Sequence, residues 1–223
     1  AEYCELGEDV LLLPNIKLWP NKKVQSGAIL SISLVQEEKW SKELFTDARI
    51  SGVSNIEMNP EFGAKLGSAL GMTLPKNSSI LGSRDPDNVS RIMKRSLTAG
   101  LLSVGIKVND LQITSIPQTR QELQTGKYEG GFHVRKSPRN PENIDVIIFS
   151  KDGRDITIND SKKIERFFFG EEIKRVAANA VGKISYPERT NEIYIDRFIQ
   201  SLDVELIRSK NFKLLIDYAH GLA

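Results

Sequence analysis

The apolar positions near the start of the chain recur with a period of six. Written in sixes from Asp9, the segment runs DVLLLP, NIKLWP, NKKVQS and GAILSI, with apolar residues at the second and fourth positions except at Lys22. A six-residue apolar period punctuated by Pro or Gly is typical of a parallel β-helix, in which each side of a coil is one short strand. Two edge hairpins are the alternative. Because a coil buries its face only on its neighbours, we expect further coils before residue 1.

A polar segment follows this repeat. Residues 37–46 are charged or polar apart from Trp40, Leu44 and Phe45, a composition typical of a linker that docks through a few apolar anchors. We place the domain boundary near residue 45. Residues 1–44 are then predicted to hold terminal hexapeptide-repeat coils of a β-helix plus the linker.

From residue 59 onward the periodicity alternates between helix and strand. Asn59 and Pro60 form a helix start, because Asn is a preferred N-cap and Pro fits the first helical position. A second apolar stripe with spacings of three and four runs from Val89 to Val104, and its Lys94 and Arg95 are expected to face water. Further helices are predicted over 117–125, 161–168, 171–182 and 191–210. Strands are predicted over 78–82, 106–111, 130–135, 144–149 and 212–219.

This order predicts an α/β fold. Strands that alternate with helices at such spacing form a three-layer structure, a mixed and mainly parallel sheet with helices on both faces. We assign residues 45–210 to this domain. The apolar run at 212–219 lies at the end of the chain, and we interpret residues 211–223 as the first strand of a truncated further domain.

Composition excludes several classes of protein. The formal net charge is only +2, which favours neither nucleic acid nor an anionic membrane as a partner. Cys4 is the single cysteine, so no intramolecular disulfide forms, and no Cys/His spacing fits zinc. The apolar runs are far shorter than the roughly 20 residues of a membrane span. We expect a cytoplasmic protein.

Candidate chemistry lies directly after the predicted strand 130–135. Side chains two apart in an extended segment share a face, so His133, Arg135 and Ser137 point one way and Lys136 points the other. Arg139 follows in the loop. A hydroxyl beside guanidinium groups is a candidate phosphoryl acceptor, because Arg forms paired, charge-assisted hydrogen bonds with phosphate. An ordinary solvated loop is the alternative.

Other residues are weaker candidates. Arg84 and Asp85 follow a predicted strand and form either an active-site pair or a loop salt bridge. Arg120 lies at a helix start, where it meets either a phosphate or a structural partner. The glycines at 63, 67 and 71 lack the spacing of a phosphate-binding loop and are interpreted as packing or capping residues.

Several segments keep a recognisable order along the chain: NPEFGAKLGSALG, LGSRD, AGLLSVGIKVNDL, GGFHVRKSPRNP and IIFSKDGRDI. Together they resemble the first domain of the phosphohexomutases, the phosphoglucomutase and phosphomannomutase superfamily, over about residues 48–223. The terminal FKLLIDYAHG is similar to the strand that opens the second domain of that superfamily. The resemblance implies that residues 45–210 are domain one of a sugar-phosphate mutase.

The resemblance also implies roles for residues of the Ser137 loop. The superfamily's loop usually reads Thr-Ala-Ser-His-Asn-Pro, and residues 135–141 here read RKSPRNP, with one extra residue and without the histidine. Ser137 takes the place of the serine that carries the phosphoryl group. His133, Arg135, Lys136 and Arg139 would then bind phosphate. Ser51 stands where the superfamily's early Gly-x-Arg-Gly signature has its arginine.

Ligands follow from the same resemblance. Hexose phosphate and hexose bisphosphate are the implied partners. Mg²⁺ is implied in a full-length parent, held by phosphorylated Ser137 and by an aspartate-rich loop of the second domain. No DxDxD run occurs in this chain, so we expect no bound Mg²⁺ and no mutase turnover from the fragment alone.

A second resemblance concerns the start of the chain. The chain resembles fusion proteins that join a mannose-1-phosphate guanylyltransferase to a phosphomannomutase-like half. This resemblance rests on HVRKSP, the six-residue repeat and the segment VLLLPNIKLWPNKKVQSGA. This implies a left-handed β-helix before the mutase domain, with a possible role in homo-oligomer formation. The alternative is a non-catalytic module that binds sugar phosphate or regulates the fused guanylyltransferase.

Overall fold

The computed structural model describes residues 3–12, 14, 18, 23–24, 29–30, 43–170 and 172–217. The chain divides into two compact units, Ala1–Ser41 and Lys42–Ala223. Each unit is described by itself. Most of the six-residue repeat, and Trp40 of the predicted linker, lie outside the described residues.

The described part of the first unit consists of four short strands. They are β1 (Glu5–Leu6), β2 (Leu11–Leu12), β3 (Lys23–Val24) and β4 (Ile29–Leu30). Strand β1 pairs parallel with β3, and β2 pairs parallel with β4. Glu5 faces Lys23 and Leu11 faces Ile29, so both pairs have an offset of 18 residues (23 − 5 and 29 − 11). This offset is three times the six-residue apolar period, while the β-helix itself stays a prediction.

The second unit is built on one mixed sheet of six strands. They lie in the order β10, β7, β6, β8, β9, β5. Strands β10, β7, β6 and β8 run parallel, and β9 is antiparallel to both β8 and β5. The prediction of a mixed, mainly parallel sheet is confirmed. The strand bounds are β5 Arg49–Val53, β6 Ser79–Arg84, β7 Lys107–Ile113, β8 Gly130–Lys136, β9 Asn143–Ser150 and β10 Ile184–Ser185.

Local sequence signals fix where the first helices begin. Asn59 Oδ1 accepts a hydrogen bond from the Phe62 N–H at 2.8 Å, and Pro60 occupies the first turn. Asp87 Oδ1 caps the second helix by accepting from the Ser90 N–H at 2.9 Å. The helix bounds are α1 Pro60–Met72, α2 Asn88–Ser103, α3 Ile116–Leu123, α4 Ile158–Gly170, α5 Thr190–Gln200 and α6 Val204–Ser209.

Helices cover both faces of the sheet. Asp110 on β7 is bonded to Lys94 of α2, whereas Ser83 on β6 is bonded to Thr119 of α3. Asp110 lies beside Gly82 in the sheet register, so its side chain and that of Ser83 leave on opposite faces. Helix α1 packs on α2 and α4, while α5 packs on α3.

The core on the α3 face has a compact apolar centre between the sheet and α3. Leu81 and Phe149 of the sheet pack there with Leu123 of α3 and with Tyr128, and all four are buried. The paired glycines that open β8 permit close approach. A Cβ at Gly131 would lie 2.9 Å from Leu123 Cδ1.

The segment 172–182 does not form the predicted helix. It contains a 3₁₀ turn at Ala178–Ala180 but no α-helix, and residue 171 lies outside the described part. Its N–H groups bind the end of α2: Val176 N–H donates to Ser103 O at 3.1 Å, and Gly182 N–H donates to Leu102 O at 3.0 Å. Both carbonyl groups lie in the last turn of α2, where i+4 partners end, so these tertiary hydrogen bonds outweigh the local helical preference of the segment.

The predicted strand at 212–219 also differs in the structure. Residues 212–217 have no strand pairing, and residues 218–219 lie outside the described part. Leu214 and Ile216 are exposed, and Leu215 is fully so. A strand needs a neighbouring strand for its hydrogen bonds, and none of the described strands provides one here. Among the described residues, no helix is both long and apolar enough to cross a membrane.

Candidate functional site

The site begins at one edge of the sheet. Strands β6, β7 and β8 are parallel neighbours, so their carboxyl ends meet at one edge, the usual place for ligands in open α/β sheets. Asp85 directly follows β6, and Ser137 directly follows β8. The Ser137 N–H donates to Asn143 O at 2.9 Å, which fixes the base of the 137–142 loop. Ser137 itself is largely buried, with 8% of its surface exposed.

The predicted phosphate-binding cations are distributed unequally around this loop. Arg135 lies in the same column of β8 as Ser137 and is partly buried. Lys136 and Arg139 are both exposed, and Lys136 alternates to the other face of β8. The structure therefore puts one cation, Arg135, on the Ser137 face of β8, while Arg139 lies in the loop itself.

Arg135 has a buried acidic neighbour on the adjacent strand. Its Nε lies 3.5 Å from Oδ2 of Asp145, a residue with 0% exposure. Neither that Nε nor either Asp145 carboxylate oxygen has a hydrogen-bond partner among the described residues. A buried carboxylate without hydrogen bonds is costly, and the charge of Arg135 offsets part of its desolvation.

Ser51, Asp145 and Arg135 form one row of cross-strand neighbours on three strands. Ser51 lies opposite Asp145 in the pairing of β5 with β9, and Asp145 lies opposite Arg135 in the pairing of β9 with β8. The position where the superfamily resemblance places an arginine is thus two strands away from the arginine at 135. Both positions flank the same buried carboxylate.

His133 is the centre of a buried hydrogen-bond network. The Thr119 hydroxyl donates to Ser83 Oγ at 2.8 Å, and Ser83 Oγ lies 2.8 Å from His133 Nδ1. On the other side of the ring, His133 Nε2 lies 3.2 Å from Asp85 Oδ1. His133, Ser83 and Thr119 have at most 1% exposure.

One arrangement of donors and acceptors satisfies this network. In it Thr119 donates to Ser83, and the hydroxyl proton of Ser83 donates to His133 Nδ1. The Thr119 hydroxyl also lies 3.0 Å from the Ser115 carbonyl oxygen. His133 Nε2–H then donates to the Asp85 carboxylate. Both ring nitrogens are occupied, so His133 offers no nitrogen to a phosphate in this arrangement. It instead fixes the orientation of Asp85 at the sheet edge.

Two other charged residues singled out in the sequence have structural partners. Arg84 Nη1 donates at 2.7 Å to the backbone carbonyl of Asp85 rather than to its carboxylate. Arg120 is tied to the loop after β9: Nη2 pairs with Asp155 at 2.6 Å, and Nη1 donates to Gly153 O at 3.1 Å. Its guanidinium also lies over the Phe149 ring. Of the two alternatives for Arg120, a phosphate or a structural partner, these contacts support the structural partner.

Sequence reasoning missed Ser83, Thr119 and Asp145. Each is a short polar residue inside an otherwise apolar or helical segment, which is the one signal that the sequence offers. The two side-chain hydrogen bonds of Ser83, to Thr119 and to His133, join residues that are 36 and 50 positions apart along the chain. No local pattern predicts such contacts.

A divalent metal has no complete site among the described residues. No group of three or more His, Cys, Asp or Glu side chains is arranged to hold a metal ion in this part of the chain. Mg²⁺ requires near-octahedral oxygen coordination, which Ser137 alone does not supply. The residues present therefore do not fit Mg²⁺ by themselves.

The second unit is an α/β domain with a polar loop at the carboxyl ends of its parallel strands. The model of the phosphoglucomutase/phosphomannomutase α/β/α domain I matches residues 42–175. The chain therefore belongs to this family of sugar-phosphate mutases.

Relatives and solved structures agree with this assignment. A phosphoglucosamine/phosphogalactosamine mutase of Sulfurisphaera tokodaii is 29% identical over 181 residues, which is 81% of this chain and 40% of the relative. A phosphoglucomutase/phosphomannomutase of Thermococcus kodakarensis is 26% identical over 183 residues, again 40% of its length. The chain thus spans well under half of these relatives.

The fold also matches a solved structure. A phosphoglucomutase/phosphomannomutase family protein of Burkholderia thailandensis superimposes with a TM-score of 0.60 at 15% identity. The match covers 71% of this chain and 36% of that chain. At this identity the likeness concerns the fold alone.

Proposed function

We propose that this chain is domain one of a phosphohexomutase in which Ser137 carries the phosphoryl group. The observation that supports this most strongly is the position of Ser137, directly after β8 at the carboxyl edge of the parallel strands. The same loop is the one whose sequence resembles the family's phosphoserine loop. The substrates are a hexose monophosphate and its bisphosphate.

The proposed reaction moves one phosphoryl group at a time. The P–O bond at Ser137 Oγ breaks as a hydroxyl oxygen of the hexose phosphate bonds to phosphorus, and the proton of that hydroxyl ends on Ser137 Oγ, which leaves as a free serine hydroxyl. The bisphosphate then reorients and returns its other phosphoryl group to Ser137. Positioning and charge neutralisation do most of the work in such transfers, so cations near Ser137 matter more than a strong base.

Arg135 is the cation best placed for this role. It lies in the Ser137 column of β8 and contacts Asp145 without a hydrogen bond from its Nε. A phosphate on Ser137 brings about two negative charges, which compete with Asp145 for the guanidinium. Arg139 and Lys136 are exposed on the loop and its edge, and they would contact phosphate as it enters.

The arginine at 135 also offers a reason why position 51 can be a serine instead of the superfamily's arginine. In the superfamily pattern the arginine belongs to the strand that carries Ser51, whereas this chain has its arginine at 135 in the same sheet row. We propose that the positive charge of the site has moved across the row from β5 to β8. Asp145 lies between the two positions and would orient either guanidinium.

A second candidate is a non-catalytic module that binds sugar phosphate or regulates a fused guanylyltransferase. Pro138 directly after Ser137 favours it, because the superfamily has at this point a histidine that can exchange protons. The fusion itself is supported by the parallel strand pairs of the first unit, whose 18-residue offset equals three hexapeptide units. In a fused parent, Mg²⁺ would require phosphorylated Ser137 and aspartates of a further domain.

Phosphoryl uptake separates the two candidates. The purified chain is incubated with glucose 1,6-bisphosphate or mannose 1,6-bisphosphate, and its intact mass is measured. The enzyme predicts the gain of one phosphoryl group that peptide mapping places on Ser137 and that Ser137→Ala abolishes. Ser209→Ala on helix α6 is the matched control and keeps the gain. No uptake from either donor, and no phosphate on protein purified from cells, would support the module.

A further inference from the structure

A second polar site lies on the α2 face, away from the Ser137 loop. Helix α2, strands β6 and β7 and the edge strand β10 line a pocket of about 420 Å³. This volume is within the usual range of small-molecule sites. The residues that line it include four cations: Arg84, Arg91, Lys94 and Arg95. Neither Ser137 nor any residue of its loop lines this pocket.

The cations of this pocket outnumber its acidic groups. Asp110 is the one carboxylate that lines it, and it is bonded to Lys94. Arg84, Arg91 and Arg95 have no salt bridge to a carboxylate among the described residues. Three guanidinium groups therefore remain without a paired anion.

Burial makes this excess of positive charge costly. Arg84 is only 8% exposed, and its Nη1 is bonded to a backbone carbonyl rather than to an anion. Burial lowers the pKa of Arg84 and the charge of Arg91 lowers it further, although Asp110 and Asp87 partly offset this. Like charges gathered beside a buried guanidinium destabilise the empty pocket, and a bound anion would relieve this repulsion.

The spacing on α2 shows that the cluster is a continuous stripe. Arg91, Lys94, Arg95 and Thr98 are three and four residues apart, so they lie on one face of the helix. Lys94 is 5% exposed in the pocket wall, where it is bonded to Asp110, contrary to the prediction from the sequence. Arg91 and Arg95 on the same helix face are exposed.

Apart from Thr98 and Gln112, the remaining lining residues are apolar or aromatic. They are Ala99 and Leu102 of α2 together with Ile184 and Tyr186. Polar and apolar parts thus occur together, a combination that suits a ligand with an anionic end and an uncharged ring. Arginine side chains match phosphate oxygens with paired hydrogen bonds, which makes phosphate the best anionic end.

We propose that this pocket binds a phosphate monoester carried on a ring, a sugar phosphate or a nucleoside monophosphate, with Arg84, Arg91 and Arg95 on the phosphate. The ring lies against Leu102, Ile184 and Tyr186. The site is separate from the Ser137 loop and does not rest on the function proposed for that loop. Binding at this pocket would make the domain respond to the concentration of a phosphorylated metabolite through its α2 face.

Calorimetric titration of the 223-residue chain tests the proposal. The probes are inorganic phosphate, glucose 6-phosphate and AMP, at low and at moderate salt. We expect saturable binding of at least one monoester, tighter than inorganic phosphate because of the ring contacts, and weaker binding as salt rises. Tighter binding of glucose 6-phosphate than of AMP identifies the sugar phosphate, and the reverse order identifies the nucleotide. Absence of binding by all three probes at millimolar concentration would overturn the proposal.

Variants locate the binding. Arg91→Gln with Arg95→Gln removes two exposed guanidinium groups, so the fold should survive, which the midpoint of thermal unfolding verifies. Affinity should fall at least about tenfold, because each removes a charge-assisted hydrogen bond. Lys136→Gln with Arg139→Gln is the matched control at the Ser137 loop. Equal loss in both double variants, or loss only in the control, would move the ligand to that loop and overturn the proposal.

Discussion

The two faces of the central sheet are covered in different ways. On the α2 face, helices α1 and α2 approach so closely at Gly100 that no side chain fits there: a Cβ would lie 2.1 Å from the Ala64 carbonyl oxygen. On the α3 face, short polar side chains of β6, β8 and α3 form a buried chain of hydrogen bonds that ends at Asp85. The first face derives its stability from close packing, and the second fixes polar groups at the strand ends.

At Gly100 the backbones of α1 and α2 leave no room for a side chain, whereas the network around His133 on the α3 face holds a carboxylate in one orientation. Arg135 and Asp145 belong to the same face of the sheet and lie beside the Ser137 loop. The following predictions test the two faces separately.

Replacement of Gly100 should give the largest effect. Gly100→Ala places a methyl group against the backbone of α1, which cannot move away as a flexible side chain could. We expect a loss of about 3 kcal/mol in the free energy of unfolding, measured with denaturant. Gly170→Ala is the matched control at the end of α4, since a Cβ there meets nothing within 4 Å. Equal effects of the two substitutions would contradict the packing argument.

Removal of the Ser83 hydroxyl should weaken the α3 face. Ser83→Ala leaves His133 Nδ1 and the Thr119 hydroxyl without their shared partner in a buried setting. We expect a loss of about 2 kcal/mol in the free energy of unfolding, against about 0.5 kcal/mol or less for the exposed Ser209→Ala. Nitrogen NMR should find the proton of the His133 ring on Nε2. A proton on Nδ1 alone would refute the proposed direction of the hydrogen bonds.

Glu165 is the one buried carboxylate among the described residues of helices α1, α2 and α4. Burial alone would raise the pKa of its carboxyl, but hydrogen bonds from Lys162 and from the Leu44 and Phe45 N–H groups lower the pKa below its usual value. Its stabilising contribution is therefore present above the usual glutamate pKa and is lost as pH falls through the lower, folded value.

Glu165→Gln tests this dependence on pH. We expect a loss of about 1.5 kcal/mol at neutral pH, because a charged acceptor becomes a neutral one. The difference from the unchanged chain should shrink in acid as the Glu165 carboxyl takes up its proton. Thermal or denaturant unfolding at a series of pH values measures it. A difference that stays constant down to strongly acidic pH would contradict the assignment.

The smallest effect is expected from Arg120 on the α3 face. Its guanidinium joins α3 to Asp155, Gly153 and the Phe149 ring, and the side chain is partly exposed. Arg120→Ala should cost about 1 kcal/mol of unfolding free energy. Uptake of phosphoryl groups by Ser137 should be unchanged, as intact mass would show. Loss of uptake in a folded variant would assign Arg120 to the site rather than to the fold.

Some elements were predictable because their signals are local. The Asn59–Pro60 start of α1, the apolar stripe of α2 and the apolar runs of β6, β8 and β9 each depend on residues a few positions apart. The loop that carries Ser137 was found for the same reason. Local signals failed at 172–182, where the carbonyl groups that end α2 bind the segment and prevent a helix.

The sequence by itself determined the class of fold, the order of the elements from α1 to α4, and the column that His133, Arg135 and Ser137 share, because periodicity and alternation act over short distances. Only the tertiary structure decided that Lys94 is buried with Asp110, that His133 holds Asp85, and that Ser51 and Arg135 flank one carboxylate. These contacts join residues on separate strands and helices, and their geometry depends on the sheet register that the packing of the whole domain selects.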